Sequence, residues 1–240
     1  MSVFEWTFIF AGMLLQAMVL SAMLKGSLRR YPFIFAYLVL SFLSTVVEFS
    51  VKHYFGALSR EFVSMYWVMD FVSTLLILMI IIHLIRMAME HHKYRDPVYW
   101  GLLIGVVTTA GVSMALIRSR SWQLLFQTTM TEVGRDYYFS AVILNAILWC
   151  VLVRANHPNR QLYLITSGLG LQLTGAAIAH ALRMVTSLWP LANSFLVATY
   201  LLHLYIWYVA FKRFPVDVPI AAKQVAEAPP EEIEPTSFRR

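Results

Sequence analysis

Glu48, Asp70, His180 and Arg183 are the residues whose types and spacing could do chemistry. Each stands inside or at the edge of a long apolar stretch. An ionisable side chain within a bilayer costs roughly 2.5–3.5 kcal/mol or more at a helix centre, so it is kept for a ligand, a proton or a partner charge. His180 and Arg183, three apart, share one helix face. Depth counted at about 1.5 Å per residue puts Glu48 and His180 about 9 Å from the middle of their stretches and Asp70 about 6 Å, all toward the same side. Two acids and two bases then occupy one layer. In low dielectric they should pair, because an unpaired charge there is far costlier. Two readings follow: the floor and walls of a polar cavity opening outward, or an ion-pair network that pins helices together.

A second, uncharged layer lies nearer the midplane: Asn145, Gln172, Thr174 and, slightly inward, His203. Such side chains hydrogen-bond between membrane helices as packing glue. Alternatively they extend the cavity, with His203 as a proton acceptor, since an unperturbed histidine titrates near 6.5. Haem would need two histidines at equal depth. His180 and His203 differ by about 12 Å and His83 and His203 by about 10 Å on this ruler, so neither pair suits. His91 and His92 read as solvated loop residues. The chain has no His-Glu-x-x-His, no Gly-x-Ser-x-Gly and no phosphate-binding glycine loop. No cofactor and no enzymatic activity is expected. The single cysteine, Cys150, excludes a disulfide framework within the chain.

Seven apolar stretches must position these residues: Trp6–Leu24, Phe33–Val51, Phe62–Ile85, Val98–Ile117, Tyr137–Val153, Leu162–Val185 and Leu191–Phe211. Each suffices to cross roughly 30 Å of hydrocarbon, which takes about 20 residues as a helix. The composition agrees, at 59% hydrophobic and 13% charged, where soluble domains carry roughly 25% charge. The expected fold is all-α, a seven-helix transmembrane bundle over residues 1–214. A proline- and glutamate-rich tail, 215–240, reads as disordered. Glu5 stands where a signal peptide would be basic, and Lys25, Arg29 and Arg30 follow the first apolar run, so an uncleaved anchor with its N-terminus outside is expected. The C-terminus is then cytoplasmic. This orientation places about ten basic residues at inner boundaries against six at outer ones. The net charge of +6 thus meets anionic headgroups rather than nucleic acid. An integral protein of the plasma (bacterial inner) membrane is expected.

Tyr31, Tyr66, Trp67, Tyr99, Trp100, Tyr137, Tyr138, Trp189 and Tyr208 fall near stretch ends, as an aromatic belt would. Trp122–Val133 has helical apolar spacing but is too short to span, and reads as a helix lying on the outer interface. Small residues from Ser167 to Ala179 suit close helix packing. Leu15-Gln16-Ala17-Met18 and Leu144-Asn145-Ala146-Ile147, each followed by a basic turn and an apolar helix, suggest a three-plus-one-plus-three repeat. No Schiff-base lysine lies in the last stretch, which argues against a retinal protein. The expected function is sensing or binding of a small ligand or proton in the membrane. It would use Glu48, Asp70, His180, Arg183, Asn145, Gln172 and His203, with output through a membrane or cytoplasmic partner. A small-solute or proton-coupled transporter and a structural subunit of a larger membrane complex are the alternatives.

Overall fold

A computed structural model describes residues 3–56, 59–90, 92–118, 130–154, 159–183 and 189–214. Among them are seven α-helices: α1 Val3–Leu24, α2 Pro32–Phe55, α3 Arg60–Ala88, α4 Arg95–Arg118, α5 Met130–Arg154, α6 Arg160–Arg183 and α7 Trp189–Arg213. Six of them (all but α4) contain segments long and apolar enough to cross a membrane. The protein is therefore a polytopic, all-α integral membrane protein.

The helices overrun the apolar stretches at most ends, because a helix continues its hydrogen bonds after its side chains become polar. α5 begins at Met130 rather than Tyr137. Met130–Val133 is thus the first turn of a long helix and not the end of a separate interfacial one, while Trp122 to Thr129 lie outside the described residues. The tail beyond Phe214 does too.

Six helices close into a ring. α1 packs on α2, α2 on α3, α3 on α5, α5 on α6, α6 on α7, and α7 returns to α1. α4 packs on α3 alone among the principal contacts. The ring presents large apolar side chains outward, including Phe10, Leu14, Leu43, Ile143, Ile147 and Leu202. In water these would form an untenable patch; in lipid they are matched to their solvent.

α6 and α7 pack closest. Thr199 occupies the space where a side chain at Gly175 would begin: a Cβ there would lie 2.6 Å from the Thr199 Cβ. Small residues in α6 let the two backbones approach, as expected from the sequence.

One end of the bundle is fixed by a polar bolt. The Tyr31 hydroxyl donates to Gln161 Oε1 at 3.2 Å, and Gln161 Nε2 donates to the Ala210 carbonyl at 3.4 Å. The Tyr31 ring stands edge-on to Phe211. His83 Nε2 donates to the Arg30 carbonyl at 3.0 Å, tying the α1–α2 turn to the end of α3. Tyr31 and Tyr137, expected in the aromatic belt, are instead buried, at 0% and 4% exposed. Their rings pack on other helices rather than on headgroups. Trp100, by contrast, is exposed as a belt residue should be.

Candidate functional site

The interior of the ring is apolar toward the bolted end and polar beyond it. Leu38, Ile81, Leu84, Leu148, Leu152, Leu162, Ile165 and Trp207 are buried in a continuous apolar layer. The Trp207 indole N–H donates to the Ile165 carbonyl at 3.0 Å, so the layer contains no stranded donor there.

The polar part begins with α2. Tyr37, Ser41, Ser44 and Glu48 recur at i, i+4, i+7 and i+11, which puts them on one helix face. Gln16 of α1 reaches this face. Its Nε2 donates to Ser41 Oγ at 2.8 Å and to the Tyr200 hydroxyl of α7. Ser41 and Tyr200 also hydrogen-bond to each other at 3.1 Å. Gln172 of α6 donates to the Tyr37 hydroxyl at 2.6 Å. The Tyr138 hydroxyl of α5 donates to Asp70 Oδ1 of α3 at 3.2 Å. The Asp70 carbonyl accepts from Thr74 Oγ1 at 2.8 Å. Glu48 lies within electrostatic reach of Asp70. Every helix of the ring therefore contributes a polar side chain.

Asp70, within reach of the Glu48 charge, thus accepts a hydrogen bond from a tyrosine. His180 and Arg183 belong to α6, but their side chains lie outside the described residues.

Asn145 and His203 face inward, at 5% and 0% exposed. His203 Nδ1 donates to the Tyr200 carbonyl at 2.8 Å, and in the neutral ring this leaves Nε2 as an acceptor. The ring stands edge-on to Trp207 at 4.6 Å. Asn145 lies against the bare backbone of α6 at Gly170, where a Cβ would meet its Nδ2 at 2.6 Å. Thr174, placed with these residues by depth alone, is exposed on the outside of α6; its azimuth on the helix points it to lipid.

Four interior acceptors have no hydrogen-bond partner among the described residues: Gln16 Oε1, Asn145 Oδ1, Gln172 Oε1 and His203 Nε2. A buried acceptor left unmatched costs about 1–3 kcal/mol. They come from α1, α5, α6 and α7. The Ser44 and Thr166 hydroxyls are likewise buried without a partner among the described residues, so the unmatched atoms are four acceptors against two hydroxyls, with two carboxyl groups nearby. No group of three His, Cys, Asp or Glu able to hold a metal occurs among the described residues.

Gln16, Tyr37, Ser41, Tyr138 and Tyr200 are site residues that sequence reasoning passed over. The four-residue stripe of α2 was the available signal, since its spacing is helical and all its members are polar. Comparison with family models, with curated proteins and with solved structures finds no match for this chain.

Proposed function

We propose that this membrane protein binds a small, hydrogen-bond-donating ligand or a proton inside the six-helix ring and acts as a sensor. The observation that carries this reading is the surplus of acceptors at Gln16, Asn145, Gln172 and His203. A donor-bearing neutral solute or a small cation satisfies them; an anion does not. Glu48 and Asp70 add negative charge and hold or pass protons. His180 and Arg183, carried by α6, are the further residues of this proposal. The apolar layer around Trp207 closes the ring toward the bolted end, so the site opens to the opposite side.

Charge supports the orientation. The bolted end carries Lys25, Arg29, Arg30, Arg86, Lys93, Arg95, Arg154, Arg160, Lys212 and Arg213, against Glu90 and Asp96. That end faces the cytoplasm under the positive-inside rule, which gives an outward-facing site in a plasma (bacterial inner) membrane. A cytoplasmic or membrane partner then reads the signal at the basic end.

A transporter is the second reading, and a three-plus-one-plus-three repeat in the ring would support it. Shifting the first half so that Gln16 falls on Asn145 also puts Ser41 on Gly170, Pro32 on Gln161 and Arg60 on Trp189, the first residue of α7. Gln16 touches Ser41 just as Asn145 touches Gly170. Helix contacts obey the same exchange, α1 to α5, α2 to α6 and α3 to α7, with α4 as the connector. Two such halves around a midplane site are what alternating access uses.

The test is a thermal-shift panel on the purified protein at constant ionic strength, with ammonium, small amines, polyols and small anions. Saturable stabilisation by a donor, lost in Asn145→Leu and in the Glu48→Gln/Asp70→Asn double variant, supports the reading. Stabilisation by anions alone, or amide variants that bind unchanged, sinks it. Flux of the bound solute into proteoliposomes assigns the transporter, and binding without flux the sensor.

A further inference from the structure

A cleft of about 420 Å³ opens at the basic end between the α1–α2 turn, the end of α3 and the start of α4. Arg30, His83, Arg86, Met87, Glu90 and Arg95 line it. We infer that this cleft is a phosphate site, which takes a phosphate group carried by an anionic lipid or free in solution.

Two of the guanidinium groups are held in advance of any ligand. Arg86 lies over the Tyr99 ring at 4.8 Å and meets Asp96 at 3.6 Å. Arg95 meets the same carboxylate at 3.3 Å. Asp96 thereby draws two like-charged arginines from different helices to one point. Arg30 enters from the opposite wall, its main chain fixed by the His83 bond to its carbonyl. Phe33, edge-on to the His83 ring, steadies that contact. Three guanidinium groups face two carboxylates, Glu90 in the lining and Asp96 beside it, and a net positive charge remains.

The geometry selects phosphate among anions. A guanidinium fork offers parallel N–H donors that match two oxygens of one phosphate, and several forks converge on a group with more than two oxygens. A carboxylate has only two oxygens to share among three guanidinium groups, whereas a phosphate has three or four. The height of the cleft is also that of headgroups: Arg86 is in the last turn of α3 and Arg95 opens α4. Basic pockets between membrane helices at this level bind anionic headgroups. The cleft lies on the other side of the apolar layer from the interior acceptors, and its ligand has the opposite charge preference. The inference therefore stands independently of the proposed sensing site.

Native mass spectrometry of the full chain in neutral detergent tests it, with short-chain phosphatidylglycerol, short-chain phosphatidylcholine and inorganic phosphate as probes. Saturable binding of phosphatidylglycerol over phosphatidylcholine is expected. Arg30→Gln should weaken it about five-fold, the effect of one basic residue near an anionic headgroup. Arg30→Lys should fall between. Arg30 is the variant of choice because its side chain carries no ion pair among the described residues, so the fold is spared. Arg154→Gln, a basic residue away from the cleft, should bind as the wild type does. Displacement of the lipid by millimolar inorganic phosphate identifies free phosphate as a ligand of the same site; resistance to it identifies the lipid as the source. Equal binding of the two lipids, unchanged binding by Arg30→Gln, or an equal loss in Arg154→Gln overturns the inference.

Discussion

Replacing Gln16 by leucine separates a ligand site from structural glue. The two side chains are close in volume, so no cavity is opened. The substitution deletes the Nε2 bonds to Ser41 and Tyr200. Hydrogen bonds between membrane helices average about 0.6 kcal/mol each, so roughly 1 kcal/mol is lost. Ser41 and Tyr200 keep their mutual bond at 3.1 Å, which leaves neither hydroxyl stranded. The substitution also removes Oε1, an acceptor unmatched among the described residues, and relieves about 1–3 kcal/mol of desolvation cost. The sum is near zero or mildly stabilising. Unfolding of the purified protein in mixed micelles, followed by tryptophan fluorescence, should place Gln16→Leu within about 1 kcal/mol of wild type, while ligand-induced stabilisation disappears. A destabilisation beyond about 3 kcal/mol would refute the reasoning. It would show that the amide is a structural pin whose bonds hold the ring closed.

Gly175→Ala should cost about 1–3 kcal/mol by overpacking, since the new Cβ would sit 2.6 Å from the Thr199 Cβ; in combination with Thr199→Gly the loss should be smaller than the sum of the two, as a double-mutant cycle of unfolding free energies would report. Burial pushes the Tyr31 hydroxyl up to about 12, against the opposing pull of Arg30 and a hydrogen bond from Asn159. An unfolded tyrosine ionises near 10, so this contribution to stability is fully present below about pH 10 and is lost as pH rises through about 12. Tyr31→Phe should flatten that alkaline loss in the same unfolding assay, and an unchanged slope would remove Tyr31 from the account. Cysteines placed at Arg29 and Lys52, in a Cys150→Ser background, should react with a membrane-impermeant thiol reagent from opposite sides of the cell membrane, Lys52 from outside; the reverse pattern inverts the orientation.

The helices were legible because a bilayer demands length and apolarity above all, and six of the seven, all but α4, supply both. Helix ends were less so. The apolar window stops where hydrocarbon stops, whereas the backbone ladder of α5 starts a further two turns earlier, at Met130. Depth along a helix was the available ruler, and Glu48 does lie within electrostatic reach of Asp70. Azimuth around the helix was what it lacked. Thr174 and Gln172 share a depth, but only Gln172 turns inward, because two residues along an α-helix point to nearly opposite faces. Tyrosines misled for a related reason. Tyr31 and Tyr137 look interfacial by position, yet their rings fill gaps between helices, where a hydroxyl finds a partner such as Gln161. The arginine cleft was invisible to a single-chain reading, since Arg30, Arg86 and Arg95 come from separate segments that meet only once α3 folds back on the first turn.

The most direct test of the central claim is a high-resolution structure of the protein in lipid nanodiscs with the best stabilising donor from the thermal panel. The account predicts ordered density inside the ring within about 3 Å of acceptors such as Gln16 Oε1 and His203 Nε2, the usual hydrogen-bond range. Those acceptors paired with protein donors instead, or side chains turned out to lipid, would contradict it.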